Sequence, residues 1–309
     1  MKPRALIVGD RRRRGVAEGV ERALPFLKSR LRIAAVDLDE RVDLSRARAD
    51  LVLVFGGDGS FLYVAERLGT NPLPVLGVNF GRLGWLAELQ PEDLETGIDA
   101  FVAGRYAVTE RTRLRATIRR GDVVEDAGLA LNDVVVGRRT LGRMVEIDVR
   151  VDGQDATTVA GDGLIVATAS GSTAHALSAG GPLLVPGLGA VVLVPICPHA
   201  LGMRPLVLAK SSRLACTVRA ERGGAVVTVD GRGPVAVEAG HVVEVEDARA
   251  PLRVITVAGR SYYELLRERL GWKGRPEYRA GTAPTADLPA DADVAPPRPR
   301  RARRGPRRR

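Results

Sequence analysis

Leu51-Val52-Leu53-Val54-Phe55 is an unbroken apolar run that stops abruptly at Gly56-Gly57-Asp58-Gly59-Ser60. A strand with no polar face must be covered on both sides, as in a parallel sheet flanked by helices. The carboxyl ends of such strands open on the crevice where α/β proteins bind ligands. Pro74-Val75-Leu76-Gly77-Val78-Asn79 repeats the pattern. Residues 4–9 and 33–38 read as further short strands, and Val16, Val20, Leu24 and Leu27 between them stand near helical spacing. Strands alternating with helices predict an α/β domain with a parallel sheet over residues 1–104.

The pattern changes after residue 105. Met144 to Val151 alternates apolar and polar residues, the mark of a strand with one wet face, and Asp152-Gly153 follows as a tight turn. Runs at 112–119, 191–196, 214–220, 225–230 and 252–258 extend a mainly antiparallel β domain over 105–258. A terminal helix is expected within 259–275, with Ser261 as its N-cap and Gly271 beyond its end, packing back on the α/β domain. Residues 276–309 consist mainly of Pro, Ala, Asp and Arg and predict a disordered basic tail.

The formal charge of +10 does not by itself indicate nucleic-acid binding. Residues 298–309 hold eight arginines and no acid, so the rest of the chain carries only +2. Contact with nucleic acid is therefore expected at most weakly, through the tail. No run approaches the roughly 18–20 apolar residues of a membrane span, and the N-terminus lacks a secretory pattern. Cys197 and Cys216 are too few for a disulfide scaffold. A cytoplasmic protein with no membrane partner is expected.

Gly56-Gly57-Asp58-Gly59-Ser60 lets the backbone approach a ligand closely, and its N–H groups at the start of a helix suit phosphate oxygens. Gly56, Gly57 and Ser60 are the candidate phosphate-binding residues. A carboxylate there would repel phosphate, but it fits a group that takes a proton from a substrate hydroxyl or acts with a metal. On these five residues alone, Asp58 reads equally as a solvated cap. In Gly161 to Pro182 a strand at 164–168 runs into a small-residue turn, where Ser172, Thr173 and Ser178 offer hydroxyls to a flat ligand; a packing turn would look similar. Leu131-Asn132-Asp133 offers donors and acceptors to a sugar or base, or simply a turn. Val229-Asp230-Gly231-Arg232 and Val151-Asp152-Gly153-Gln154 are near copies, each first of all a hairpin turn, and the pattern does not say which meets a ligand. Arg11 to Arg14 reads as a solvated loop rather than a phosphate clamp.

Competing motifs are absent. The chain has no G-x-x-x-x-G-K-[ST], and Gly57 to Leu62 lacks the last glycine of a dinucleotide fingerprint. The H-R-D and D-F-G set of protein kinases is missing. His175, His199 and His241 have no metal-ligand spacing, so no resident metal is expected.

Taken in order, these segments resemble the NAD kinases, which phosphorylate NAD to NADP. The resemblance rests on Phe55 to Leu62, Gly77 to Ala87, Leu131 to Asp133, Gly161 to Pro182, Pro195 to His199, Arg204 to Leu208 and Val229 to Gly231, with Leu265 to Trp272 like the family's closing helix. The glycine–aspartate turn alone is shared with lipid and sugar kinases; the 161–182 segment is what favours NAD kinase. The resemblance implies a sandwich-like second domain and transfer of the ATP γ-phosphate, with magnesium, to the 2′-hydroxyl of the adenosine ribose. It also implies a homodimer or homotetramer. It makes Asp58 the proton acceptor and Gly59 its backbone partner. Asn132, Asp133, Arg143, Asp162, Thr173, Ala174, His175, Ala176, Leu177, Ser178 and Arg232 become NAD-binding candidates, with Trp85 and Asp230 as additional ones. Asp133 stands where the family commonly has Glu, Ala160 where a basic residue is frequent, and His175 where Tyr is common. Arg82 and Trp85 replace His and Phe.

Overall fold

The computed structural model describes residues 1–272 apart from 82–83, 88, 141, 220–223 and 258–260. Arg82 and the 276–309 tail therefore lie outside the described residues. The chain begins β1 (Arg4–Gly9), α1 (Val16–Arg30), β2 (Arg32–Asp37), β3 (Leu51–Phe55), α2 (Asp58–Leu68), β4 (Val75–Val78) and α3 (Leu94–Val102). It continues with β5 (Ala107–Arg111), β6 (Leu114–Arg120), β7 (Val123–Ala130), β8 (Asp133–Arg138), β9 (Val145–Val151), β10 (Gln154–Gly161) and β11 (Gly163–Thr168). After α4 (His175–Ser178) come β12 (Ala190–Ile196), β13 (Leu206–Ala209), β14 (Leu214–Val218), β15 (Ala225–Val229), β16 (Arg232–Val237), β17 (Val242–Asp247), β18 (Leu252–Thr256) and α5 (Tyr262–Leu270).

The first sheet has the order β2-β1-β3-β4-β18-β5, parallel throughout except for the β18–β5 pair. Its central strands β1, β3 and β4 are apolar on both faces because each face meets a different layer. Ile7, Leu53 and Phe55 pack with Val16 and Val20 of α1 and Ile98 of α3; Leu6, Val8, Val52 and Val54 pack with Phe61, Val64 and Leu68 of α2. Two strands from within 105–258 belong to this sheet. β5 and β18 extend it beyond β4, and β18 is apolar toward both layers, with Leu252 and Val254 on the α2 side and Ile255 on the other. That double burial is what an outer face of a sandwich could not satisfy.

The remaining strands form two antiparallel sheets, β10-β9-β14-β17-β6-β7 and β13-β12-β11-β8-β15-β16. They share one core. Leu114, Ile118, Val145 and Ile147 of the first meet Val134, Val136, Leu164 and Val166 of the second. The result is the sandwich that the resemblance implies. α5 starts with a capping box, the Glu264 N–H donating to Ser261 Oγ at 3.2 Å and the Ser261 N–H to Glu264 Oε2 at 2.7 Å. Among the described residues no helix is long and apolar enough to cross a membrane.

Candidate functional site

The strand order 2-1-3-4 places a reversal of winding between β1 and β3, where an open sheet leaves a crevice at its carboxyl edge. A cavity of about 390 Å³ lies there, lined by Gly9 at the end of β1 and Asp10 after it, Gly59 and Ser60 at the start of α2, and Arg12, Arg13, Tyr63 and Arg232. The N-cap of α2, Gly57, gives the helix no side-chain cap; the Ser60 N–H donates to Gly57 O at 2.9 Å, and no side chain caps the N–H groups before it. Ser60 Oγ is buried without a hydrogen-bond partner. A Cβ on Gly56, whose φ is 156°, would come within 2.3 Å of it. The turn thus needs glycine here for both conformation and space.

Asp58 is the first residue of α2. Its Oδ2 accepts the Trp85 N–H at 2.8 Å and its Oδ1 the Leu86 N–H at 3.0 Å. Each carboxylate oxygen keeps a lone pair after accepting one bond. The approach is so close that a Cβ on Gly84 would lie 2.0 Å from Asp58 Oδ1. Trp85 and Leu86 in turn line a second cavity of about 200 Å³, together with Ala169, Ser170, Thr173 and Tyr262. The Trp85 and Tyr262 rings stand 6.1 Å apart.

Asn132 precedes β8, and Asp133 is the first residue of that strand. Asn132 packs backbone to backbone on the 169–173 turn. The Thr168 N–H donates to Asn132 O at 2.9 Å, Thr168 Oγ1 to Leu131 O at 2.6 Å, and a Cβ on Gly171 would lie 2.1 Å from Asn132 O. Asn132 Oδ1 is buried without a partner. Asp133 is buried beside a second carboxylate, Asp230. The Leu131 N–H donates to Asp230 Oδ2 at 2.8 Å, and the Asn132 and Asp133 N–H groups donate to Oδ1 at 2.7 and 3.1 Å. Burial raises both carboxyls above their ordinary range. These three donors and Arg232 oppose the rise at Asp230, while Asp133, facing the Asp230 charge, is pushed up to about 7. Asp230 is therefore the ionised member of the pair and Asp133 the one that holds a proton near neutrality.

Arg232, two residues after Asp230, crosses back to α2. Its Nη2 donates to Gly59 O at 2.6 Å, and its guanidinium lies 4.7 Å over the Tyr63 ring. Contacts thus run from Asp58 through Gly59, Arg232, Asp230, Asn132 and Gly171 to Thr173, and across the smaller cavity to Trp85 and Asp58 again.

The other predicted residues stand apart from this ring. Asp162 pairs with Arg138 at 3.1 Å between β10 and β11. Arg143 is exposed in the β8–β9 connection, and His175 and Ser178 are exposed on α4. Ala176 is fully buried among Ile165, Ala167 and Val194, so it backs the 171–178 wall. Ser172 differs from the expectation of a ligand hydroxyl. It is buried, donates to Ala169 O at 2.7 Å and accepts the Leu184 N–H at 2.9 Å, which commits it to holding the turn. Thr173 Oγ1 donates to Ser170 O at 3.0 Å and keeps its lone pairs.

Arg12 and Arg13 were expected in a solvated loop. Both are exposed, and Arg12 pairs with Asp10 and Glu40, yet both also line the larger cavity. Only their position after β1 could have signalled this. Arg113 had no sequence signal either. It is buried and donates to Ala65 O at 3.3 Å and Gly69 O at 2.6 Å, capping the far end of α2. Among the described residues no group of three or more His, Cys, Asp or Glu side chains could hold a metal ion.

Residues 15–106 match the family described as ATP-NAD kinase N-terminal domain, and residues 131–257 match ATP-NAD kinase C-terminal domain. The chain is 39% identical over 273 residues to an NAD kinase of Rhodopirellula baltica, covering 88% of each protein. It is 42% identical over 227 residues to one of Pseudomonas putida, covering 73% of this chain and 77% of the relative. Among solved structures, a yeast NADH kinase complexed with NADH shares the fold at TM-score 0.80 and 23% identity, covering 90% of both chains. An NAD kinase from Archaeoglobus fulgidus in complex with ATP aligns at TM-score 0.67 and 28% identity, over 87% of this chain and 97% of that one.

Proposed function

The chain belongs to the NAD kinase family and phosphorylates NAD to NADP, and we propose that Asp58 is the proton acceptor of that reaction. The observation that carries this reading is the place of Asp58 between two cavities. Gly59 and Ser60, next in sequence, line the larger, while Trp85 and Leu86, hydrogen-bonded to its carboxylate, line the smaller.

In this reading the larger cavity takes the phosphates of ATP. Arg12, Arg13 and the start of α2 supply positive charge and N–H groups, and the unpartnered Ser60 Oγ offers one more donor. NAD occupies the side of Trp85, Asn132, Asp133 and Thr173. The 2′-hydroxyl of the adenosine ribose gives its proton to Asp58 as its oxygen attacks the γ-phosphorus. The bond from that phosphorus to the bridging oxygen of the β-phosphate breaks, and ADP leaves. Asp58 is held by two backbone donors, so its position is set before the substrate arrives. Magnesium arrives with ATP as part of the donor substrate. A cytoplasmic dimer or tetramer completes the proposal, with Arg143, Asp162 and the exposed face of α4 as outlying contacts for NAD.

The test is NADP formation from NAD and magnesium ATP by the purified protein and by Asp58→Asn. The variant should fold normally and lose about 10²–10⁴-fold in kcat. Turnover within tenfold of the parent would remove Asp58 from this role.

A further inference from the structure

We propose that the turn from Asp230 to Arg232 is a positioning clamp that fixes the NAD-binding backbone at Asn132 and Asp133 against the first turn of α2, which carries Asp58. The proposal rests on the reading of Asp58 and Asn132–Asp133 given above. Neither Asp230 nor Arg232 need touch the reacting atoms for it to hold.

The comparison that points to it lies within the chain. The turns at Asp152-Gly153 and Asp230-Gly231 have nearly the same backbone, with φ of 50° and 82° in one and 50° and 70° in the other. Such turns normally sit at the surface with their carboxylate in water or on a neighbouring N–H. Asp152 behaves so: it is exposed, and its Oδ1 accepts one N–H, from Arg213, at 2.8 Å. The N–H of each aspartate donates to a backbone carbonyl at 2.9 Å, Asp152 to Arg213 O and Asp230 to Asp133 O, but the Asp230 carboxylate takes three N–H bonds from consecutive residues 131–133. Burying a carboxylate costs more than a hairpin requires, and here the desolvation is offset by donors that belong to a substrate segment.

Arg232 closes the other side. Its bond to Gly59 O at 2.6 Å and its stacking on Tyr63 grip α2 within its first two turns. Three residues of one rigid turn therefore link two segments about 70 residues apart in sequence. A displacement of about 1 Å between reacting groups can cost about 10² in rate, so a short link of this kind acts on kcat as well as on affinity.

Three variants test it in the full chain: Asp230→Asn, Arg232→Met and the double variant, with Asp152→Asn as control. An amide at 230 keeps one acceptor and turns an NH₂ toward the N–H donors. Asp230→Asn should raise KM for NAD about tenfold and lower kcat about ten- to hundredfold, with KM for ATP within about twofold. Its amide hydrogens at 131–133 should exchange about tenfold faster in the ligand-free protein. Arg232→Met should lower kcat about tenfold. The double variant should lose little more than the worse single one, because either break releases the clamp. Asp152→Asn should match the parent.

A folded Asp230→Asn with parental KM for NAD and parental exchange at 131–133 overturns the proposal. So does a double variant whose loss is the product of the single losses. Should Asp230→Asn fail to fold, parental kcat in Arg232→Met overturns it alone. A parent protein that makes no NADP would instead refute the functional reading, while the exchange measurement would still report on the Asp230 contacts.

Discussion

The Trp85 N–H donates to Asp58 Oδ2 at 2.8 Å, so the carboxylate within the glycine turn is held by the backbone of a different loop. The Leu86 N–H holds the other oxygen. Gly84 makes this possible, because a side chain there would occupy the space of the carboxylate.

Gly84→Ala tests that contact. Its Cβ would lie 2.0 Å from Asp58 Oδ1, so either the loop or the carboxylate must move. The expected result is a loss of about 10²-fold in kcat with a stability change of about 1–3 kcal/mol, read by steady-state kinetics and thermal unfolding. Parental kcat would show that the loop does not orient Asp58.

Gly171→Ala tests the seat of Asn132. The added carbon would come within 2.1 Å of Asn132 O and 2.5 Å of its carbonyl carbon, both backbone atoms that cannot swing aside. Overpacking of this kind costs about 1–3 kcal/mol, and we expect it to be accompanied by weaker NAD binding. Denaturant unfolding and NAD titration of the same variant check both halves.

Arg13→Ala should raise KM for ATP about tenfold and leave KM for NAD near the parental value, since Arg13 lines the cavity beside Gly59 and Ser60. The same change should flatten the dependence of KM for ATP on salt. An effect confined to NAD would assign the larger cavity to the wrong substrate.

Asp133 should make stability fall as pH rises. Its carboxyl is pushed up to about 7 in the fold by burial and by the Asp230 charge, against 3.8 ordinarily. Between these values the folded state binds more protons than the unfolded one, so the favourable contribution present below about pH 4 is lost by about pH 7. The size is on the order of 4 kcal/mol. Melting curves at pH 5 and pH 8 should therefore show Asp133→Asn gaining stability relative to the parent at the higher pH. An equal difference at both pH values would mean that Asp133 is already ionised in the fold.

Much of this protein is legible along the chain. The apolar run at 51–55 and the glycine turn after it dictate a strand buried on both faces followed by a tight turn, because an all-apolar strand has no face it can leave in water. The alternation at 145–151 dictates a sandwich strand for the same local reason. Twin Asp-Gly turns at 152 and 230 are equally local, and their backbones are nearly identical. What distinguishes them is not local. Asp230 meets residues 131–133 and Arg232 meets Gly59 only because β15 pairs with β8 and the sandwich then packs against α2. The same holds for Trp85 on Asp58, for Gly171 on Asn132 and for Arg12 and Arg13 beside Ser60. Periodicity and turn chemistry act over a few residues, whereas a site is made of contacts between distant segments. Those contacts are fixed by which sheets pair and which layers close over one another, a choice made by the whole buried surface.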